Sequence, residues 1–172
     1  MQKAIGSLTT PIFTRLLSPA EYGQFSVFNS WMGVISIFVT LNLSAGIYTQ
    51  GLIKYDSERD VFSSSLQGVT LTLTMFWGLV YFCFSDFWNQ LFQFTSLQML
   101  FMLVLIWLSA VFNFWASEQR VLYKYKTLVA VTMLVAFAQP VVGIIFVLLA
   151  EDKVTARIFS AICVEAVCYT GL

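Results

Sequence analysis

The sequence predicts an all-α fold: a polytopic membrane helix bundle of about four complete spans with a partial helix at each end. Three observations lead there. Hydrophobic residues fill 59% of the 172 positions and charged residues only 10%, with a mean hydropathy of +0.81, far outside the usual mix of a soluble domain. The charges gather in short clusters separated by long uncharged runs, the pattern of helices that cross about 30 Å of hydrocarbon. The runs show no period-two alternation and far exceed the roughly ten residues of a membrane barrel strand, so a β-barrel does not fit.

Taken in order, the chain is a single transmembrane region over 1–172. Between Lys3 and Arg15 lie eleven uncharged residues interrupted by Pro11, too few to span alone; residues 4–17 read as the second half of a helix. Ser18, Pro19 and Glu21 then spell a helix start. Ser18 caps, Pro19 occupies the first turn where a missing N–H does no harm, and Glu21 falls three residues after the cap. Arg15 would sit in the last turn of the preceding helix, where a cation suits the dipole. The first complete span is expected over 22–47, the second over 61–84, the third over 97–116 and the fourth over 127–150, with Pro140 expected to kink the last. Asp86, Phe87, Trp88 and Asn89 read as a short polar-aromatic connection at headgroup level. Residues 156–172 begin another apolar helix, so the chain is expected to be the N-terminal part of a longer protein.

Short-loop Lys and Arg residues favour the cytoplasm. One side holds Lys54, Arg59, Arg120, Lys124 and Lys126, the other Arg15, Lys153 and Arg157, which places the 54–60 and 117–126 loops inside and the Arg15–Glu21 turn outside. No signal-peptide cleavage pattern precedes Arg15.

Composition excludes several functions. Nine basic residues balance nine acidic ones, which argues against nucleic acid as a partner, since phosphate tracking needs a basic excess. The absence of histidine removes the commonest general base and metal ligand. Cys83, Cys163 and Cys168 lie in apolar runs without CxxC spacing and read as small core residues. No nucleophile elbow or glycine-rich phosphate loop occurs, so no catalytic or metal-binding residues and no cofactor are assigned.

The spans carry polar residues at steps of three or four, which places them on one helix face: Ser26, Asn29, Gly33, Ser36, Thr40 and Ser44 in the first, Ser63, Gln67, Thr70, Thr74 and Gly78 in the second. The third has Ser109, Asn113, Ser117, Arg120 and Lys124, the fourth Thr132, Ala136, Gln139 and Gly143. Helix packing accounts for any one such stripe; four in succession suggest a shared hydrated cavity. Ionisable groups near membrane depth are few, with Arg15, Glu165 and Arg120 the nearest.

Residues 11–28, P-I-F-T-R-L-L-S-P-A-E-Y-G-Q-F-S-V-F, resemble the start of the oligosaccharide flippase (Wzx-like, polysaccharide-transporter) family of the multidrug/oligosaccharidyl-lipid/polysaccharide exporter superfamily. The matching positions are Pro11, Thr14, Arg15, Leu17, Ser18, Glu21, Tyr22 and Gly23, with looser agreement at 41–45, Gln119-Arg120 and Tyr125-Lys126. The resemblance implies two pseudo-symmetric helical lobes around a cavity, this chain supplying the N-terminal one. It implies movement of polyprenyl-pyrophosphate-linked oligosaccharide across the bacterial inner membrane for O-antigen, capsule or exopolysaccharide synthesis, with membrane lipids and the polysaccharide polymerase machinery as partners and an unassigned coupling ion. Arg15 and Arg120 would hold the pyrophosphate, and Asn29, Ser36, Thr40, Gln67, Asn113 and Gln139 the sugar. A drug or metabolite exporter of the same superfamily, a membrane glycan-assembly enzyme and a non-transporting remnant are the alternatives.

Overall fold

The computed structural model of the chain describes residues 13–44, 46–55 and 58–169, and among these there are helices and turns but no strand. After a helical turn at 13–16 come α1 (Pro19–Thr40), α2 (Ile47–Lys54), α3 (Arg59–Cys83), α4 (Ser85–Phe92), α5 (Ser96–Val121), α6 (Tyr125–Leu149) and α7 (Lys153–Tyr169). Residues 4–12 of the expected first half-helix, Pro11 of the motif included, and 170–172 of the last lie outside the described residues. Three helices, α3, α5 and α6, of 25, 26 and 25 residues, are long and apolar enough to cross a membrane, as an all-helical membrane bundle requires.

Local chemistry sets the ends. Ser18 caps α1: its hydroxyl accepts from the Glu21 N–H at 3.3 Å while Glu21 Oε2 accepts from the Ser18 N–H at 2.6 Å, with Pro19 at the first position. Thr95 and Gln98 build the same reciprocal box at the head of α5. The uncharged run at 22–47 is not one helix. Leu41 and Asn42 both take left-handed backbone, φ 48 and φ 50, which ends α1 at Thr40 before α2 restarts at Ile47. The expected connection at 86–89 is itself helical, because Phe87, Trp88, Leu91 and Phe92 recur at helical spacing and Trp88 stacks on Phe92 with centroids 5.7 Å apart. The last long helix, α6, continues through Pro140.

Successive long helices run in opposite directions. Gln98 donates to the Thr155 hydroxyl at 3.0 Å and Lys153 Nζ to the Leu16 carbonyl at 3.1 Å, gathering the 14–23 turn and the starts of α5 and α7 at one end. Ser117 donates to the Ser44 carbonyl at 3.3 Å, and the Tyr48 and Ser63 hydroxyls share a 2.7 Å bond, gathering 41–58 and 117–126 at the other. These are the two groups of loops between which the basic residues are unequally divided.

The central element is α5, which packs against each of the other six helices. Its Met99, Met102, Leu105 and Ile106 form the main core with Phe28 of α1, Tyr81 of α3 and Ile158 of α7. A smaller core joins Tyr48 and Leu52 of α2 to Phe114 of α5. Here α2 comes so close to α3 that a Cβ on Gly51 would collide with the Phe62 ring. Small residues permit such approaches in lipid, where close packing drives helix association. Cys83 corrects an expectation: it is exposed on α3, while Cys163 and Cys168 are half-buried, and all three are free thiols.

Candidate functional site

Polar side chains form a ladder along α7, whose rungs are bonded to α5 and α6. At the bottom Asp152 Oδ1 accepts from the Val154 and Thr155 N–H groups, both at 3.1 Å. The Thr155 hydroxyl donates to the other Asp152 oxygen and accepts from Gln98 of α5.

The next rung is Arg157. Its Nη1 donates to the Ser160 hydroxyl at 3.2 Å and reaches the Gln139 carbonyl of α6 at 3.5 Å, while Ser160 donates back to the Arg157 carbonyl. The guanidinium lies over the Phe13 ring at 4.5 Å and the Phe25 ring at 5.4 Å, contacts that favour a cation removed from water. Room for it comes from Gly143, where a Cβ would stand 2.8 Å from Nη1. Both side-chain bonds use Nη1, so the Nε and Nη2 hydrogens have no hydrogen-bond acceptor among the described residues. None of those residues gives Arg157 a carboxylate partner.

The top rung is Glu165, eight residues or about 12 Å further along the helix. Gln139 Nε2 donates to its Oε1 at 3.1 Å and Ser109 of α5 to its Oε2 at 3.5 Å. Gln139 therefore links both ionisable groups, its carbonyl facing Arg157 and its amide facing Glu165. A cation and a carboxyl group set inside an apolar bundle are costly unless they have partners or a task. Chemically, the ladder offers an anion three unspent guanidinium hydrogens in a fixed fork, and it offers Glu165 only neutral donors.

The structure gathers Gln139 and Ser109 into this ladder and leaves the other expected site residues apart. Arg15 is exposed on the turn at 13–16 and Arg120 is exposed at the end of α5. Along α1, Asn29 donates to the Phe25 carbonyl at 3.0 Å, Ser36 to Gly33 at 2.8 Å and Thr40 to Ser36 at 2.8 Å, so that stripe bonds to its own helix. Gln67 and Asn113 are exposed with no hydrogen-bond partner among the described residues. Arg157 is the residue sequence reasoning missed. The sequence reading counts it among the short-loop cations, whereas α7 begins at Lys153 and carries it inward. Its spacing to Ser160 and Glu165, three and eight residues, is the sequence signal that one helix face holds all three.

The four stripes do not converge on a single polar cavity. One cavity of about 250 Å³, between α1, α3, α4 and α5, is walled by Trp31, Trp77, Trp88 and further aromatic and aliphatic side chains. The Trp88 indole nitrogen is buried there without a hydrogen-bond acceptor among the described residues. A second cleft of about 270 Å³ opens between α3 and α5 and includes Gln67 and Trp107. No family model, no curated protein and no solved structure matches the chain.

Proposed function

We propose that the chain forms the N-terminal lobe of an oligosaccharide flippase of the Wzx-like type, a transporter and not an enzyme. It would move polyprenyl-pyrophosphate-linked oligosaccharide across the bacterial inner membrane. On this reading α1 joins α3, α5 and α6 as a fourth complete span, α7 is the partial helix that follows them, and the 41–58 and 117–126 end faces the cytoplasm. The observation that carries the reading is Arg157: a guanidinium inside a helical membrane bundle, held by aromatic rings and neutral oxygens, with three N–H donors unpaired among the described residues and available to a doubly charged pyrophosphate. The 11–28 motif supports it, and so does the Ser18–Glu21 cap that rigidifies the turn beside Lys153. On this reading the pyrophosphate sits at Arg157 rather than at Arg15 and Arg120, which are exposed at the ends of their helical segments. The lobes would rock around the bound headgroup while the prenyl chain stays in lipid.

The test is translocation of a fluorescent polyprenyl-pyrophosphate disaccharide in proteoliposomes, with the chain supplied in its full-length frame. Arg157→Ala is expected to lower the rate tenfold or more at unchanged protein abundance, and Arg157→Lys to restore part of it. Loss of abundance in proportion to rate, or no loss at all, would overturn the assignment. Efflux of small organic cations in place of the lipid-linked sugar would favour the drug-exporter alternative.

A further inference from the structure

The hydroxyl and amide side chains of α3 differ in their partners: Ser63 bonds across to Tyr48 of α2. Ser65, Thr70, Thr72 and Thr74 spend their hydroxyl protons on carbonyls of their own helix, at 2.7 to 3.0 Å. Ser64 and Gln67 do not: neither side chain has a hydrogen-bond partner among the described residues, and both face the cleft between α3 and α5. Gln67 lies eight residues into α3, about 12 Å from its start. An amide at that depth with nothing bonded to it is unfavourable against lipid tails, so the cleft favours a polar occupant over an apolar one.

Its walls restrict what that is. Trp107 of α5 is 37% exposed and brings its indole to the same cleft as the amide. Gly68 keeps the floor clear, since a Cβ there would meet nothing within 4 Å. At about 270 Å³ the cleft suits one small ring rather than a chain of them. An occupant that needs both an apolar plane and several hydroxyl partners is a neutral pyranose, with its C–H face on the indole and its hydroxyls at the amide and the serine. Charged groups do not line the cleft, which disfavours a phosphate or a cation.

We propose that this cleft is a saccharide subsite: Trp107 stacks one sugar ring of the transported unit, and Gln67 and Ser64 hydrogen-bond it. The proposal rests on the flippase reading and names where that substrate's sugar is first held, on a surface separate from the Arg157 anion site.

The test compares two probes on the full-length protein in nanodiscs: a short-chain prenyl pyrophosphate bearing one N-acetylglucosamine, and the same prenyl pyrophosphate without the sugar. Trp107→Ala and Gln67→Leu are each expected to weaken the sugar-bearing probe about tenfold while leaving the sugar-free probe unchanged. Trp107→Phe, which keeps a ring and guards against a folding defect, is expected to retain most of the affinity. Saturation-transfer signals from the sugar ring protons should disappear in Trp107→Ala. Equal weakening of both probes, or no change in either, overturns the subsite and leaves the flippase reading standing. Failure of both probes to bind the unaltered protein overturns the flippase reading itself.

Discussion

Arg157 and Glu165 show how much of a polar side chain's role depends on where its helix begins. In the sequence, Arg157 stands close to Glu151, Asp152 and Lys153 and reads as part of a charged loop; Asp152 takes the first N–H groups of α7, and Arg157 is thereby carried a turn into the bundle. Glu165 was legible as an ionisable group near membrane depth, but Gln139 and Ser109 as its partners were not, because they come from two other helices. Glu165→Gln should unfold at nearly the same temperature as the parent in detergent, since an amide oxygen still accepts from Gln139. Glu165→Leu should cost about 1–3 kcal/mol by stranding the Gln139 amide and the Ser109 hydroxyl; equal melting of the two variants would mean that these bonds contribute nothing. At Gly51 the close approach to Phe62 makes Gly51→Ala an overpacking change, expected to cost about 1–3 kcal/mol in the same melting experiment.

Helix starts were the most legible elements, because capping depends on neighbours in sequence. The Ser18–Glu21 box follows directly from its four residues, and Ser18→Ala should cost about 1 kcal/mol. The bond from the Ser18 N–H holds the Glu21 carboxyl below its ordinary pKa of 4.5. A carboxyl whose folded pKa is depressed stabilises above its unfolded value and loses that contribution as pH falls through the folded value. The melting difference between the parent and Glu21→Gln should therefore be present at pH 7 and shrink as pH drops below 4.5; a pH-independent difference would refute the link. Helix ends were poorly legible. Nothing in an uncharged run announces that Leu41 and Asn42 turn left-handed, and the short helix α4 hid in a segment that composition marked as a connection. Gln93, at φ 57 after α4, is exposed, so Gln93→Gly should raise stability by about 0.5–1 kcal/mol by removing left-handed strain.

At the scale of the whole molecule, the helical membrane class and the pairing of loops by end were readable from hydropathy and charge, while the partition of polar groups into separate sites was not. Which helix faces meet is decided by three-dimensional packing, and the four stripes look alike in sequence whether they bond to their own carbonyls, as on α1, or reach across to another helix, as Ser109 and Gln139 do. Single cysteines in place of Asn42, Lys124 and Asp152, with the native thiols replaced, test the arrangement by labelling from each face of the membrane. Positions 42 and 124 are expected to react from one side, the cytoplasmic one, and position 152 from the other; 42 and 124 on opposite sides would break the alternation of the helices. Gln98 has a mechanical consequence. Its carbonyl oxygen closes the cap of α5 while its amide nitrogen holds Thr155, so one side chain pins the heads of two helices at the same height. If α7 slid along α5 by a turn, that tie would part, whereas pivoting about it would leave it intact. The pair is built as a hinged strut, and any motion that exposes Arg157 to alternate faces of the membrane should swing α7 about its Gln98 end rather than ratchet it lengthwise.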